Sequence, residues 1–317
     1  MSKVDQNISR HFTLNQLADG VYAAINNEEG WAICNAGIID LGDRTLVYDT
    51  FTSPQAANDL RQAAESLTGR PVRMVINSHY HNDHIWGNQV FDSEVDIIST
   101  TKTRDLILTE GAEEIKWYRE VAQRRLEALE AQYAGSSDES LHQDLKPLIY
   151  DYQAIVNALP ILQVRLPNLT FTGDMTINGL KRSARLMTYE NGHCGSDAML
   201  YLPEDGIVFM EDILFIGCHP YLSDGDPDVI QRILAQVKLL NASIFVPGHG
   251  PVGGVEHLDI LAGYINQLNI LARDAVQQGI SKEELDHLSI PDDYQHYVFS
   301  TFFTVNLKFL YNRQLKQ

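Results

Sequence analysis

The stretch Val72-Arg73-Met74-Val75-Ile76-Asn77-Ser78-His79-Tyr80-His81-Asn82-Asp83-His84 decides how the chain is read. Its first half is a short apolar run bounded by polar residues, the pattern of a strand buried on both faces. Its second half places three imidazoles and a carboxylate within six positions, in a loop at the end of that strand. Loops held by a rigid sheet are where chemistry usually sits. Packing gains nothing from such a crowd of titratable groups, and burying them together without a metal is costly. Neutral imidazole and carboxylate are the donors that a borderline divalent cation such as zinc prefers.

Further residues of the same kind close other apolar runs. His193 lies in Glu190-Asn191-Gly192-His193-Cys194-Gly195-Ser196-Asp197, ahead of Ala198 to Pro203. Asp212 ends Ile207-Val208-Phe209-Met210-Glu211-Asp212, and His249 sits in Val246-Pro247-Gly248-His249-Gly250. Upstream, Asp49 closes Leu46-Val47-Tyr48-Asp49-Thr50. In this order, over roughly residues 12 to 255, these motifs resemble the H-x-H-x-D-H signature and later ligand motifs of the metallo-β-lactamase superfamily. The chain departs from the pattern at Glu211, where the family usually has glycine before the aspartate.

The resemblance implies an α/β fold, the four-layer αβ/βα sandwich, and a metal-dependent hydrolase that uses a metal-bridging hydroxide on a carbonyl substrate. Carried over residue by residue, His79, His81 and His193 would hold one ion and Asp83, His84 and His249 a second. Asp212 would bridge them. Asp83 is the catalytic candidate, orienting the hydroxide and carrying its proton. Asp49 would hydrogen-bond a ligand histidine rather than ligate. Two divalent ions are expected, zinc first, but a set of nitrogen and oxygen donors also suits iron, manganese or cobalt.

The 317 residues are ample for one large core, and no linker, repeat or low-complexity tract divides them. We expect a single domain over 1–317, a helical insertion at 101–160 within it and a helical C-terminal part at 255–317. Lysine and arginine number 24 against 42 aspartates and glutamates, a formal charge of −18. Such a balance repels phosphate backbones and anionic lipid, so the expected partner is a small-molecule substrate, not nucleic acid or membrane. Cys34, Cys194 and Cys218 are unpatterned, which argues for a reducing compartment. The polar N-terminus lacks a signal-peptide core and no apolar run approaches a membrane span, so a cytoplasmic location is expected.

Ser53-Pro54 heads a helical pattern through Ala57, Leu60, Ala64 and Leu67. In the insertion, Ile115, Tyr118, Ala122, Leu126, Leu129 and Tyr133 share one helical face. Gly135 is a stop signal and Ser136-Ser137-Asp138 can cap a second helix through Leu141, Leu145, Leu148, Tyr152 and Ile155, with a kink or break at Pro147. This hairpin reads equally as a cover over the metal loop or as a surface for a homo-oligomer, since amphipathicity proves only that one face is buried. Ser281 to Glu284 is a capping-box pattern.

Lactonases of this family carry a tyrosine three residues after the bridging aspartate, and B1 β-lactamases a carboxylate-binding lysine at the equivalent offset from their ligand cysteine. Here Phe215 stands at that position, which demotes both. A neutral or apolar ester, lactone or thioester is the expected substrate, a β-lactam less so; Phe215, Trp86, Trp117 and the tyrosines of the insertion point that way. Alternatives are a glyoxalase II-like thioesterase and a mononuclear iron oxidoreductase resembling persulfide dioxygenases. His219 and Tyr221 are weak candidates for substrate contact. Cys194 reads as a core residue, Tyr80 equally as a hydroxyl near the metals or a packed ring, and His142, His257, His287 and His296 as solvated.

Overall fold

Apolar residues occupy consecutive positions in most strands, so both faces of each sheet must be covered. In the computed structural model, which describes residues 2–3 and 8–316, two sheets lie face to face with helices outside them. The first sheet runs in chain order: β1 (Ser2–Lys3), β2 (Phe12–Ala18), β3 (Val21–Asn26), β4 (Ala36–Asp40), β5 (Thr45–Tyr48), β6 (Val72–Ile76), β7 (Asp96–Thr100) and β8 (Leu169–Phe171). It is antiparallel as far as β5 and parallel from there. The second holds β9 (Met175–Asn178), β10 (Ser183–Tyr189), β11 (Asp197–Leu202), β12 (Ile207–Phe215) and β13 (Ile244–His249), with only β12 and β13 parallel. This is the αβ/βα sandwich expected of the chain.

The period of two along each strand divides the core into layers. Leu46, Ile76 and Ile98 point between the sheets, where they meet Leu186, Leu200 and Phe209. Their neighbours Val47, Val75 and Ile97 point outward against Ala56, Leu60 and Ala64 of α1 (Pro54–Thr68). Ser53 caps α1 as its sequence indicates, its Oγ accepting from the Ala56 amide at 3.0 Å. On the far face, Met199, Val208 and Met210 pack against α6 (Pro227–Val237), α7 (Glu256–Gln277) and α8 (Ser300–Gln314). The capping box closes, Glu284 Oε2 accepting from the Ser281 amide at 2.7 Å, but it heads only the single 3₁₀ turn Glu284–His287.

The metal loop enters a short helix, α2 (Asn82–Ile85), and the insertion follows as α3 (Thr101–Leu108), α4 (Glu110–Gly135) and α5 (Glu139–Ala158). Helix α4 ends at Gly135, whereas α5 runs through Pro147 without a break. Leu126, Leu145 and Ile149 form the seam of the pair, Ile149 taking the place that spacing assigns to Leu148. At its foot, Ala122, Ile155 and Ala158 pack directly on Tyr80, Ile85 and Trp86 of the metal loop. No helix among the described residues is long and apolar enough to cross a membrane.

Phe209 locks the two sheets together. It is buried, its ring lies 5.7 Å from that of Tyr48, and a Cβ on Gly37 would come within 2.7 Å of it. Phe209→Ala should therefore cost about 3–5 kcal/mol, read as a lowered urea midpoint; a loss below about 1 kcal/mol would show that the inter-sheet layer repacks freely.

Candidate metal centre

Parallel pairing puts the C-terminal ends of β5 and β6 on one edge, and likewise those of β12 and β13. Antiparallel β10 and β11 bring the connection that carries His193 to the same end as the close of β12. Four loops thus meet at one rim of the sandwich. The way Asp212 gets there is local. The β12–β13 register slips on both sides of Glu211, which stands opposite Pro247 and has φ +46°. Pro247 has no N–H to give the ladder, and an extra residue in the facing strand re-aims the side chains beyond it.

All seven sequence-predicted ligand residues come together. Around one point stand His79 Nε2, His81 Nδ1 and His193 Nε2, with His81 Nδ1 3.1 Å from the first and 3.0 Å from the second. Asp212 Oδ2 lies 3.4 Å from His193 Nε2. Around a second point stand Asp83, His84 and His249: Asp83 Oδ2 is 3.3 Å from His249 Nε2 and 3.5 Å from His84 Nε2. Asp212 serves both groups, its Oδ1 3.2 Å from His84 Nε2 and its Oδ2 3.3 Å from His249 Nε2.

These separations fit cations at both points. Donors about 2.0–2.1 Å from a tetrahedral ion sit roughly 3.3 Å from each other. His84 Nε2 and Asp212 Oδ1 are buried 3.2 Å apart without a geometrically sound hydrogen bond, as two donors turned toward a common cation would be. Burial drives the pKa of His79 well down and that of His193 down to about 3, so both present lone pairs. Burial also opposes charge on His84 and His249. The facing groups outweigh it, with Cys34, Asp83, Asp212 and Asp49 raising His84 and Asp212 and Asp83 raising His249.

A profile of the Metallo-beta-lactamase superfamily matches residues 30–249, more than half of the chain. The chain belongs to the metallo-β-lactamase superfamily. Among solved structures it is similar to a metallo-beta-lactamase from Pontibacter korlensis, at 14% identity and TM-score 0.56, over 80% of this chain and 99% of that one. It is similar also to the metallo-beta-lactamase FIM-1 from Pseudomonas aeruginosa in its mono-zinc form, at 14% identity and TM-score 0.58, over 83% and 98%. A third is the metallo-beta-lactamase from Erythrobacter litoralis with beta mercaptoethanol in its active site, at 14% identity and TM-score 0.56, over 84% and 100%. At such identity the likeness concerns the fold.

Within this superfamily fold, carboxylates hold the far nitrogens of three of the histidines. Asp49 Oδ2 lies 2.8 Å from His84 Nδ1 and accepts from Ser78 Oγ at 2.7 Å, the supporting place expected of it. Glu211 Oε2 is 3.1 Å from His79 Nδ1. Asp224 Oδ2 is 3.0 Å from His81 Nε2 and accepts from Tyr80 Oη at 2.8 Å, so the Tyr80 hydroxyl is tied behind the site rather than facing it. Sequence reasoning missed Asp224, which sits in a polar loop and carries no motif. It also missed Asn35, whose side chain donates to the Pro247 and Gly250 carbonyls at 2.9 and 2.8 Å and so clamps the His249 loop to the first sheet. Cys34 lies behind Asp83 and donates its thiol proton to the Asp83 carbonyl at 2.9 Å; burial pushes it up to about 12, the range of an unreactive thiol.

A cavity of about 750 Å³ opens on His249. Helix α5 supplies part of its wall through His142, Lys146, Pro147 and Asp151, so the hairpin forms one side of the opening onto His249. The apolar part of the wall is Ile25, Ile33, Ile216, Val298 and Phe299; Trp86 is instead buried under α4 and Trp117 is exposed, so neither lines it. Two further expectations are corrected. His219 is fully buried behind the cavity, its Nδ1 2.8 Å from Tyr264 Oη in an aromatic cluster, and Tyr221 packs on Phe302; neither lines the cavity. His142 is not a solvated side chain but stacks on Tyr133 at 4.0 Å and binds carbonyls at the end of α4. Cys194 is packed in the core as expected.

Gly248 leaves the space that Asp212 occupies: a Cβ there would stand 1.8 Å from Asp212 Oδ1 and 2.8 Å from the Glu211 carbonyl carbon. Gly248→Ala should keep the fold by circular dichroism but weaken metal binding by about tenfold or more in chelator competition. Unchanged affinity would remove Asp212 from the ligand set.

Proposed function

We propose that this chain is a dinuclear metallohydrolase, zinc being the ion best suited to its donors, acting on a neutral carbonyl substrate such as an ester, lactone or thioester. The observation that carries the reading is a pair of donor groups that share Asp212, one with His79, His81 and His193 and the other with His84 and His249, the last of which opens onto a cavity. His79, His81, His193 and Asp212 would hold one ion; Asp83, His84, His249 and Asp212 the other. Bound there, the pair would supply a water made acidic enough to attack at neutral pH and a Lewis-acid centre for the carbonyl oxygen. The complete second set favours two ions over the mononuclear iron reading.

The chain's own residues set the rest. Asp83, between His84 and His249, keeps its carboxyl below the usual range because those two imidazoles outweigh its burial. An ionised carboxylate there can orient a nucleophilic water and receive its proton. Phe215 stacks on the His249 ring at 5.2 Å and 8°, fixing that imidazole with an apolar face that neither donates to an oxyanion nor pairs with a carboxylate.

The wall chooses the substrate by charge. Glu28, Glu139 and Asp151 line the cavity, and Lys146 is its one lysine or arginine among the described residues. Lys146 sits 3.6 Å from both Glu28 and Glu29, so a substrate anion would have to compete for it. Among the described residues Asp151 makes no hydrogen bond or ion pair, and burial pushes its carboxyl up to about 7. An anionic group entering this cavity would be desolvated beside carboxylates, whereas uncharged esters meet no such penalty.

Metal analysis of replete protein should give two ions per chain, and chelation should abolish turnover of p-nitrophenyl esters, lactones or thioesters, restored by zinc. Fewer than one ion per chain, or turnover of phosphodiesters alone, would overturn the assignment. Asp83→Asn should cut kcat by about 10²-fold or more in metal-replete protein. Asp151→Lys should lower KM for a carboxylate-bearing ester relative to its neutral analogue, and an unchanged ratio would mean that the wall does not select by charge.

A further inference from the structure

Residue 211 combines features that a strand interior ordinarily avoids. It is a glutamate at φ +46°, in the left-handed region where a side chain is strained and glycine is favoured. Its side chain is fully shielded from water and its Oε1 has no hydrogen-bond partner. An unpaired buried carboxylate oxygen on a strained backbone is unfavourable twice over and persists only where something local over-determines it.

What it gains is contact with the metal loop. Glu211 Oε2 lies 3.1 Å from His79 Nδ1 and accepts from the Asp212 amide at 3.0 Å. In a regular strand, neighbouring side chains point to opposite faces. The bulge and the positive φ instead bring Glu211 behind His79 while Asp212 faces His84, His193 and His249. Ser78 Oγ, 3.0 Å from the same Nδ1, gives its own proton to Asp49 and can only assist as a second acceptor. Of the three histidines of the first set, His81 leans on Asp224, and His193 Nδ1 makes no hydrogen bond among the described residues. Glu211 is therefore the one charged group against the far side of the His79 ring, with Ser78 Oγ as its neutral companion.

We propose that Glu211 is the positioning residue of His79: its carboxylate holds Nδ1–H so that Nε2 faces the first cation, and the left-handed backbone is kept for that contact. The inference rests on the reading of His79 as a ligand. A carboxylate behind a ligating imidazole fixes its orientation and raises its basicity, and losing such a partner typically weakens metal binding 10–100-fold.

The test is chelator competition with Zn²⁺ and with Co²⁺, whose visible spectrum reports donor geometry, on the full chain and on Glu211→Gln, Glu211→Gly and His79→Ala. Glu211→Gly should bind the first ion about 10–100-fold more weakly while the second ion is held as before. Its metal-free melting temperature should equal or exceed that of the parent, because the strained backbone and the unpaired oxygen are both gone. Glu211→Gln, which keeps an acceptor but not the charge, should fall between. If Glu211→Gly binds both ions like the parent, or loses affinity only in step with lost metal-free stability, Glu211 is packing and the proposal fails. If the parent binds no ion, or His79→Ala binds as the parent does, the ligand reading fails first and takes this inference with it.

Discussion

Everything at the rim of this sandwich answers to one electrostatic constraint. Five imidazoles and five carboxylates have been largely withdrawn from water within a few ångströms of one another. Each carboxylate has a histidine nitrogen beside it: Asp49 and Asp212 against His84, Asp83 against His249, Glu211 against His79, Asp224 against His81. Acid alternates with base, and nitrogen lone pairs and carboxylate oxygens converge at two places. Without cations, protons raised onto His84 and His249 must offset the carboxylates facing them. Two divalent ions would bring four positive charges against five carboxylates, and donors that must shed protons to bind couple metal uptake to that balance.

Such a lattice tolerates little movement, which explains where the backbone is strained and where it is clamped. Of the non-glycine residues with positive φ, Asp49 and Glu211 contact ligand histidines, and Ile33 and Phe299 line the cavity. Strain of this kind survives only where surrounding structure fixes it. The fixing is visible: Asn77 and Asn88 exchange amide hydrogen bonds of 3.0 and 2.8 Å across the root of the metal loop. Asn35 does the same for the His249 loop, and Phe215 lies flat on the His249 ring. Rigid strands with both faces buried supply the frame against which these clamps pull.

The candidate ligands are legible in the sequence because most of them end an apolar run and His193 precedes one, and the family pattern orders them. The fold comes from the same runs, whose alternation between the two core layers needs only a period of two. What the sequence withholds are partners that depend on approach in space. Asp224 reaches His81 across 143 positions from a loop that looks like any polar turn. The departure at Glu211 is plain in the sequence, but its meaning needs the bulge opposite Pro247. Periodicity also reveals both helices of the hairpin, yet an amphipathic face does not say what it meets; here it is Tyr80, Ile85 and Trp86. His219 is misjudged from sequence because proximity to Asp212 along the chain does not fix direction, and the backbone turns it into the aromatic cluster with Tyr264.

The chain's overall charge of −18 and the acidity of the cavity wall act separately and in the same sense. The first acts at long range and is screened within about 8–10 Å at ordinary salt. The second acts after a ligand has left bulk water, where screening is weak and a facing carboxylate counts for more. On the dinuclear reading the cavity would differ in sign along its length, positive toward His249 and acidic at Asp151, Glu139 and Glu28. A neutral carbonyl compound has its own dipole and would enter such a field oxygen-first. On that reading the wall would do more than refuse anions. It would pre-orient the bond to be broken, without needing the tyrosine or lysine that Phe215 replaces.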